Sequence, residues 1–219
     1  VASRARDRCN RSDVKIAGCL PPLYASYKPE SAPALEECIE RYQIISEKQA
    51  PHVDLFICET MSSIKEAEAA ITATKDHNME TWCSMTINDI GDATLRSKEP
   101  LESAVNHLKK FRYHANLINC STPEAISKSL EILGDGTKPF GAFANGFVSV
   151  EALELGGTVD VLESRKDLGP HSYCKYILDW INTGASIVGG CCEISPAHIR
   201  HIYETLNELD FQVVSELDS

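Results

Sequence analysis

The sequence predicts a parallel α/β fold built by repeating a strand and then a helix. Six short apolar runs are nearly continuous rather than alternating, as in strands covered on both faces. Between them, apolar residues recur at three- and four-residue spacing, as on amphipathic helices. Six such units fit either a doubly wound sheet or most of a (β/α)8 barrel, which needs eight strands and typically about 250 residues.

Each element has its own local reason. The opening VASRARDR reads as the end of a helix, since alanine and arginine favour helix and no cap precedes them. The strands are predicted in VKIAG (14–18), VDLFICE (53–59), TWCSMTI (81–87), ANLINC (115–120), FGAFAN (140–145) and ASIVGG (185–190). The first helix between strands carries Leu35, Ile39, Tyr42 and Ile45 on one stripe. Ser63 with Glu66 forms a capping box for the next. Leu101, Val105 and Leu108 follow Pro100, and Ile126, Leu130 and Leu133 follow Thr122-Pro123. Tyr173, Ile177 and Trp180 form a stripe that Gly184 stops, and Ile199, Ile202, Leu206 and Leu209 follow Ser195-Pro196. Thr122-Pro123 and Ser195-Pro196 each place a hydroxyl N-cap before a proline at the first helical position. The long connection 146–169 is expected to be a lid or active-site loop.

Composition narrows the function classes. At 219 residues and 43% hydrophobic, the chain suits one globular domain with its own core. Acidic residues outnumber basic ones 32 to 21, a net charge of −11 that repels nucleic-acid backbones and anionic lipid. No apolar run is long enough for a membrane span, and the polar amino end shows no apolar signal segment. Nine cysteines, an odd number with several inside apolar runs, fit a reducing cytoplasm better than a disulfide framework.

In parallel α/β folds ligands collect at the carboxyl ends of the strands. Those ends carry Gly18-Cys19, Glu59-Thr60, Asn88-Asp89, Asn119-Cys120, Asn145 and Gly189-Gly190-Cys191-Cys192. Cys120, Cys191 and Cys192 therefore fall on one rim. Adjacent cysteines do not readily pair with each other, but as thiolates both can reach one metal if the preceding Gly-Gly lets the backbone bend. Three thiolates with an open fourth position match a catalytic zinc site, and an all-sulfur set favours zinc over magnesium or calcium. The alternative is that Cys191 and Cys192 are small buried residues after a strand. His198 and His201, one helical turn apart, read as surface or helix-end residues, and Glu193 as a neighbour of the metal site or a first-turn carboxylate. Asn145-Gly146 also reads as a turn signal, and Cys9, Cys19, Cys38, Cys58, Cys83 and Cys174 read as structural. Neither GxGxxG nor a P-loop is present.

These segments together resemble the homocysteine S-methyltransferase family. GGCCEISPAHIRHI (189–202) is similar to its zinc signature, INCSTPEAI (118–126) to its upstream cysteine motif, and VDLFICETMSSIKEAEAAI (53–71) to its strand ending in Glu-Thr. IAGCLPP (16–22) is a weaker match to the segment before that. The resemblance implies a zinc-dependent (β/α)8 barrel that moves a methyl group onto homocysteine from a small donor such as S-methylmethionine, giving methionine. It implies Cys120, Cys191 and Cys192 as zinc ligands, Glu59 as the carboxylate for the substrate's α-amino group, and Asn145 as a substrate-binding residue. The family's first-strand Asp-Gly-Gly segment has no counterpart in these residues. Residues 1–219 are thus expected to form one homocysteine-binding barrel domain that lacks the first two βα units. A non-catalytic zinc or redox-sensing protein, or an inactive member of the family, is the rival expectation.

Overall fold

The computed structural model describes residues 1–214. The elements run α1 (Ala2–Arg8), β1 (Ala17–Leu20), α2 (Leu35–Gln49), β2 (Leu55–Met61), α3 (Ile64–Thr74), β3 (Thr81–Met85) and α4 (Leu101–Leu108). They continue with β4 (Ala115–Asn119), α5 (Pro123–Ser129), β5 (Phe140–Phe143), α6 (Pro170–Asn182), β6 (Ile187–Val188) and α7 (Pro196–Glu208). Short 3-10 turns at Pro29–Ser31, Ala50–His52, Leu130–Leu133 and Val159–Val161 join them.

The six strands form one sheet in the order β1-β2-β3-β4-β5-β6, every neighbouring pair parallel. That order settles the choice left open by periodicity. A doubly wound sheet reverses its strand order at a switch point, whereas here each strand lies beside its sequence neighbour, as in successive units of a (β/α)8 barrel.

The sheet is apolar because the helices cover it. All five residues of β4 are buried, and Phe56, Cys58, Cys83, Leu117 and Ala142 are fully enclosed. Tyr42 of α2, Ile71 of α3, Leu108 of α4, Ile126 of α5 and Trp180 of α6 close over it from the helical stripes. Burying each such large side chain stabilises by about 1.5–3 kcal/mol.

The helix ends follow the predicted caps. Thr122 accepts from the Ala125 amide and Ser63 from the Glu66 amide at 3.2 Å. The Glu66 side chain takes the Ser63 hydroxyl at 2.8 Å. Gly184 ends α6 at φ +106, open only to a residue without a side chain. Strand bounds shift by a few residues: β1 begins at Ala17, β2 runs Leu55–Met61, and β6 is only two residues long although its hydrogen bonds to the β5 side continue at Gly189 and Cys191.

His198 differs more. It is buried, takes the Ser195 amide on Nδ1 at 3.1 Å and donates from Nε2 to the Leu168 carbonyl at 2.9 Å. It fastens the start of α7 to the loop before α6, which explains its burial. Residues 146–169 are also better anchored than a free lid. Phe147, Val150 and Leu168 are buried, and the Val148 amide donates to the Glu163 carbonyl.

Candidate metal and substrate site

The sheet register brings the three cysteines together. β5 lies between β4 and β6, and its carboxyl end continues the pairing beyond the strands. The Cys120 amide donates to the Phe143 carbonyl at 3.2 Å, the Cys191 amide to Ala144 at 2.9 Å, and the Gly146 amide to Cys192 at 2.9 Å. Tyr173 of α6 reinforces this seam, accepting from the Ala144 amide and donating to the Gly189 carbonyl. Cys120 itself sits at φ +51, a left-handed conformation uncommon outside glycine. Gly190 has an ordinary φ but no room for a side chain, because a Cβ would overlap Ile194. The glycine before Cys191 is thus required by close approach rather than by a bend.

Cys120 Sγ lies 3.0 Å from Cys191 Sγ and 3.6 Å from Cys192 Sγ, and the latter two are 3.9 Å apart. A tetrahedral site with zinc–sulfur bonds of about 2.3 Å has sulfur–sulfur edges of about 3.8 Å. Two edges are already near that length, and the third needs modest opening. This donor set fits zinc. Among the described residues it is the group of three His, Cys, Asp or Glu side chains close enough to hold one ion.

The trio titrates as a unit. Hydrogen bonds from Cys120 and Cys191 pull Cys192 down to about 3, whereas the bond with Cys120 first, and then that with Cys192, pushes Cys191 far up. For Cys120 the bond with Cys191 lowers the value, but the bond with Cys192 and burial outweigh it and leave it at about 12. The first proton leaves readily because two thiols donate to the resulting thiolate; the next two need a cation.

Sequence reading places Glu59 and Asn145 on the same rim, and the structure shows what each touches. Glu59 accepts from the Cys19 thiol at 3.0 Å. Burial first, then this bond, pushes that thiol up, so Cys19 stays protonated as the donor. Cys19 therefore orients the carboxylate. Asn145 is fully buried: its amide donates to the Ser121 carbonyl at 3.1 Å, its Oδ1 accepts from Phe147, and its Nδ2 has no partner. The Asn-Gly pair makes no backbone turn here; the side chain bonds forward to Phe147 and presents an unused donor. Glu193 lies ahead of α7, at φ +65, and accepts from Ser164 at 2.7 Å, tying the long loop to the cysteine turn.

Sequence reasoning missed three contributors. Asn119, fully buried, accepts from the Thr60 amide at 2.9 Å and the Ser84 hydroxyl at 2.7 Å, and donates to Thr60 Oγ1 at 2.8 Å. It clamps the ends of β2, β3 and β4 around Cys120. Tyr27 donates its hydroxyl to Cys120 Sγ at 3.0 Å, and Arg96 lies 5.2 Å from the centre of the Tyr27 ring. Both stand in loops whose place depends on the assembled sheet, so only Asn119, beside Cys120, carried a local signal.

The profile of the homocysteine S-methyltransferase family matches residues 1–206. The chain belongs to the homocysteine S-methyltransferase family. S-methylmethionine–homocysteine S-methyltransferase BHMT2 of Pongo abelii is 27% identical over 221 residues, covering 92% of this chain and 57% of its own. Homocysteine S-methyltransferase 3 of Arabidopsis thaliana is 28% identical, covering 77% and 47%. The chain thus spans about half the length of these family members. The metallated form of the homocysteine methyltransferase MmuM from Escherichia coli superposes at a TM-score of 0.72 with 21% identity, over 93% of this chain and 65% of that one. That likeness supports the barrel winding. No helix among the described residues is long and apolar enough to cross a membrane.

Proposed function

We propose that this chain carries the metal and acceptor half of a zinc-dependent methyl transfer from a sulfonium donor such as S-methylmethionine to homocysteine, giving methionine. The observation that carries the reading is the convergence of Cys120, Cys191 and Cys192 within 3.9 Å across the β4–β5–β6 seam. These three would hold zinc, which supplies a Lewis acid that keeps a thiol ionised at neutral pH.

The chain's own residues do the rest. Glu59, oriented by Cys19, takes the ammonium of homocysteine by a charge-assisted hydrogen bond. The unused Nδ2 of Asn145 offers a donor to the same substrate. Asn119 and the Phe143–Ala144 carbonyls fix the cysteines, so alignment is set before substrate arrives. In the transfer, the homocysteine sulfur forms a bond to the donor's methyl carbon as the donor's sulfur–methyl bond breaks. That electron pair stays on the donor sulfur, and the homocysteine thiol proton goes to solvent. A sulfonium is its own leaving group, so no general acid is required. Free thiols at the site suit the reducing cytoplasm that the cysteine content favours.

The test is methionine formation from homocysteine with S-methylmethionine, S-adenosylmethionine or betaine in separate arms. Turnover with a sulfonium donor, lost on chelation and restored by zinc, supports the reading. Zinc binding without turnover with any donor contradicts it and favours a non-catalytic member of the family.

A further inference from the structure

Arg96 is an unusual presence beside the cysteines. Its side chain is only 8% exposed, with Nη1 on Asp89 Oδ2 at 3.0 Å and Nε on Thr86 Oγ1 at 3.3 Å. Thr86 in turn donates to the Cys120 carbonyl at 3.3 Å. The remaining nitrogen, Nη2, is buried without a partner. A buried charged donor left unpaired is costly, and native proteins rarely keep one without use.

The surroundings indicate what it would pair with. Arg96 lines an open cleft of about 430 Å³ together with Lys65 and Lys98. Glu30 and Glu99 also line the cleft; Glu99 Oε2 accepts from the Ser97 hydroxyl and the Ile64 amide, and Lys65 donates to the Ala32 carbonyl. The guanidinium carbon also lies 5.2 Å from the centre of the Tyr27 ring, whose hydroxyl reaches Cys120. Tyr27 is held at φ +66, which a non-glycine residue rarely adopts. One side chain thus touches both Cys120 and the guanidinium. A ligand that displaces it would meet a sulfur where the hydroxyl lay and a guanidinium where the ring lay.

We propose that Arg96 is the receptor for the carboxylate of an amino-acid substrate, which reaches Nη2 by displacing Tyr27. Asp89 and Thr86 hold the guanidinium in place, so a single carboxylate oxygen is accepted rather than a bidentate pair. The inference rests on the methyl-transfer reading for the identity of the ligands, and both homocysteine and a sulfonium amino acid carry the required group.

Equilibrium binding by calorimetry on the intact, zinc-supplied chain tests it with two ligand pairs. One is homocysteine against 3-aminopropane-1-thiol, and the other S-methylmethionine against its decarboxylated sulfonium. At least one pair is expected to show a preference of about tenfold or more for the carboxylated member, and that pair identifies the source of the carboxylate. Arg96→Gln should reduce the preference to about twofold or less, with the decarboxylated ligand bound as before. Arg96→Lys, which keeps the charge, should fall between; if Arg96→Gln does not fold, a loss of at least about threefold in Arg96→Lys decides in favour. Equal affinities within both pairs, a preference unchanged in the variants, or no binding of any probe overturns the proposal. None of these readouts needs turnover. Carboxylate-selective binding without methionine formation defeats the methyl-transfer reading alone, and methionine formation without selectivity defeats this one alone.

Discussion

Replacing Asn119 by alanine tests how the rim is held. The side chain is fully buried and makes three hydrogen bonds of 2.7–2.9 Å, two to Thr60 and one to Ser84. Removing it strands the Thr60 amide, which costs about 1–3 kcal/mol. Losing the two hydroxyl contacts adds about 1 kcal/mol each, part of which the hydroxyls recover by turning to other acceptors. The expected destabilisation is about 3 kcal/mol. At about 2–4 °C per kcal/mol for a domain of this size, the melting temperature should fall by about 6–12 °C. Urea unfolding followed by far-ultraviolet circular dichroism reads it, with the slope unchanged. A loss below about 1 kcal/mol would refute the view that Asn119 clamps β2, β3 and β4.

Other perturbations reach the remaining parts of the account. Gly190→Ala puts a Cβ into Ile194, which must displace the turn that carries Cys191; zinc affinity, measured by competition with a chromophoric chelator, should weaken about 10–100-fold. Asp135, pulled down to about 2 mainly by the Thr137 hydroxyl and also by Lys109 at 3.1 Å, contributes stability that is fully present above the unfolded value of about 4 and lost as pH falls toward 2. Asp135→Asn should therefore cost about 0.5–1 kcal/mol at pH 7, discounted for solvent screening, and nothing near pH 2, as read by unfolding across that range. Zinc must displace the protons that Cys120 and Cys191 retain, so its affinity should rise with pH between about 6 and 8, approaching two protons released per ion in calorimetry in buffers of different ionisation heat.

The parts of the molecule that depend on local chemistry were legible in the sequence. Thr122-Pro123 and Ser195-Pro196 mark where α5 and α7 begin, because a hydroxyl and a proline act within one turn. The strand ends place Cys120, Cys191 and Cys192 on one rim because parallel strands all point the same way. What needed the structure was set by contacts distant in sequence. Strand order distinguishes a barrel from a doubly wound sheet, and no single segment encodes it. His198 is buried because a carbonyl 30 residues earlier, that of Leu168, accepts a hydrogen bond from its Nε2. Tyr27 meets Cys120 from 93 residues away, in a loop whose sequence marks nothing but a turn. Cys19 was read as structural because its partner, Glu59, lies on the neighbouring strand.

The proposed function stands on three thiols from two distant segments holding one zinc ion. X-ray absorption at the zinc edge of the intact chain counts the sulfur neighbours directly. Three sulfurs at about 2.3 Å are expected in the wild type and two in Cys120→Ser. A site with fewer than three sulfurs in the wild type, or a spectrum unchanged by Cys120→Ser, would contradict it.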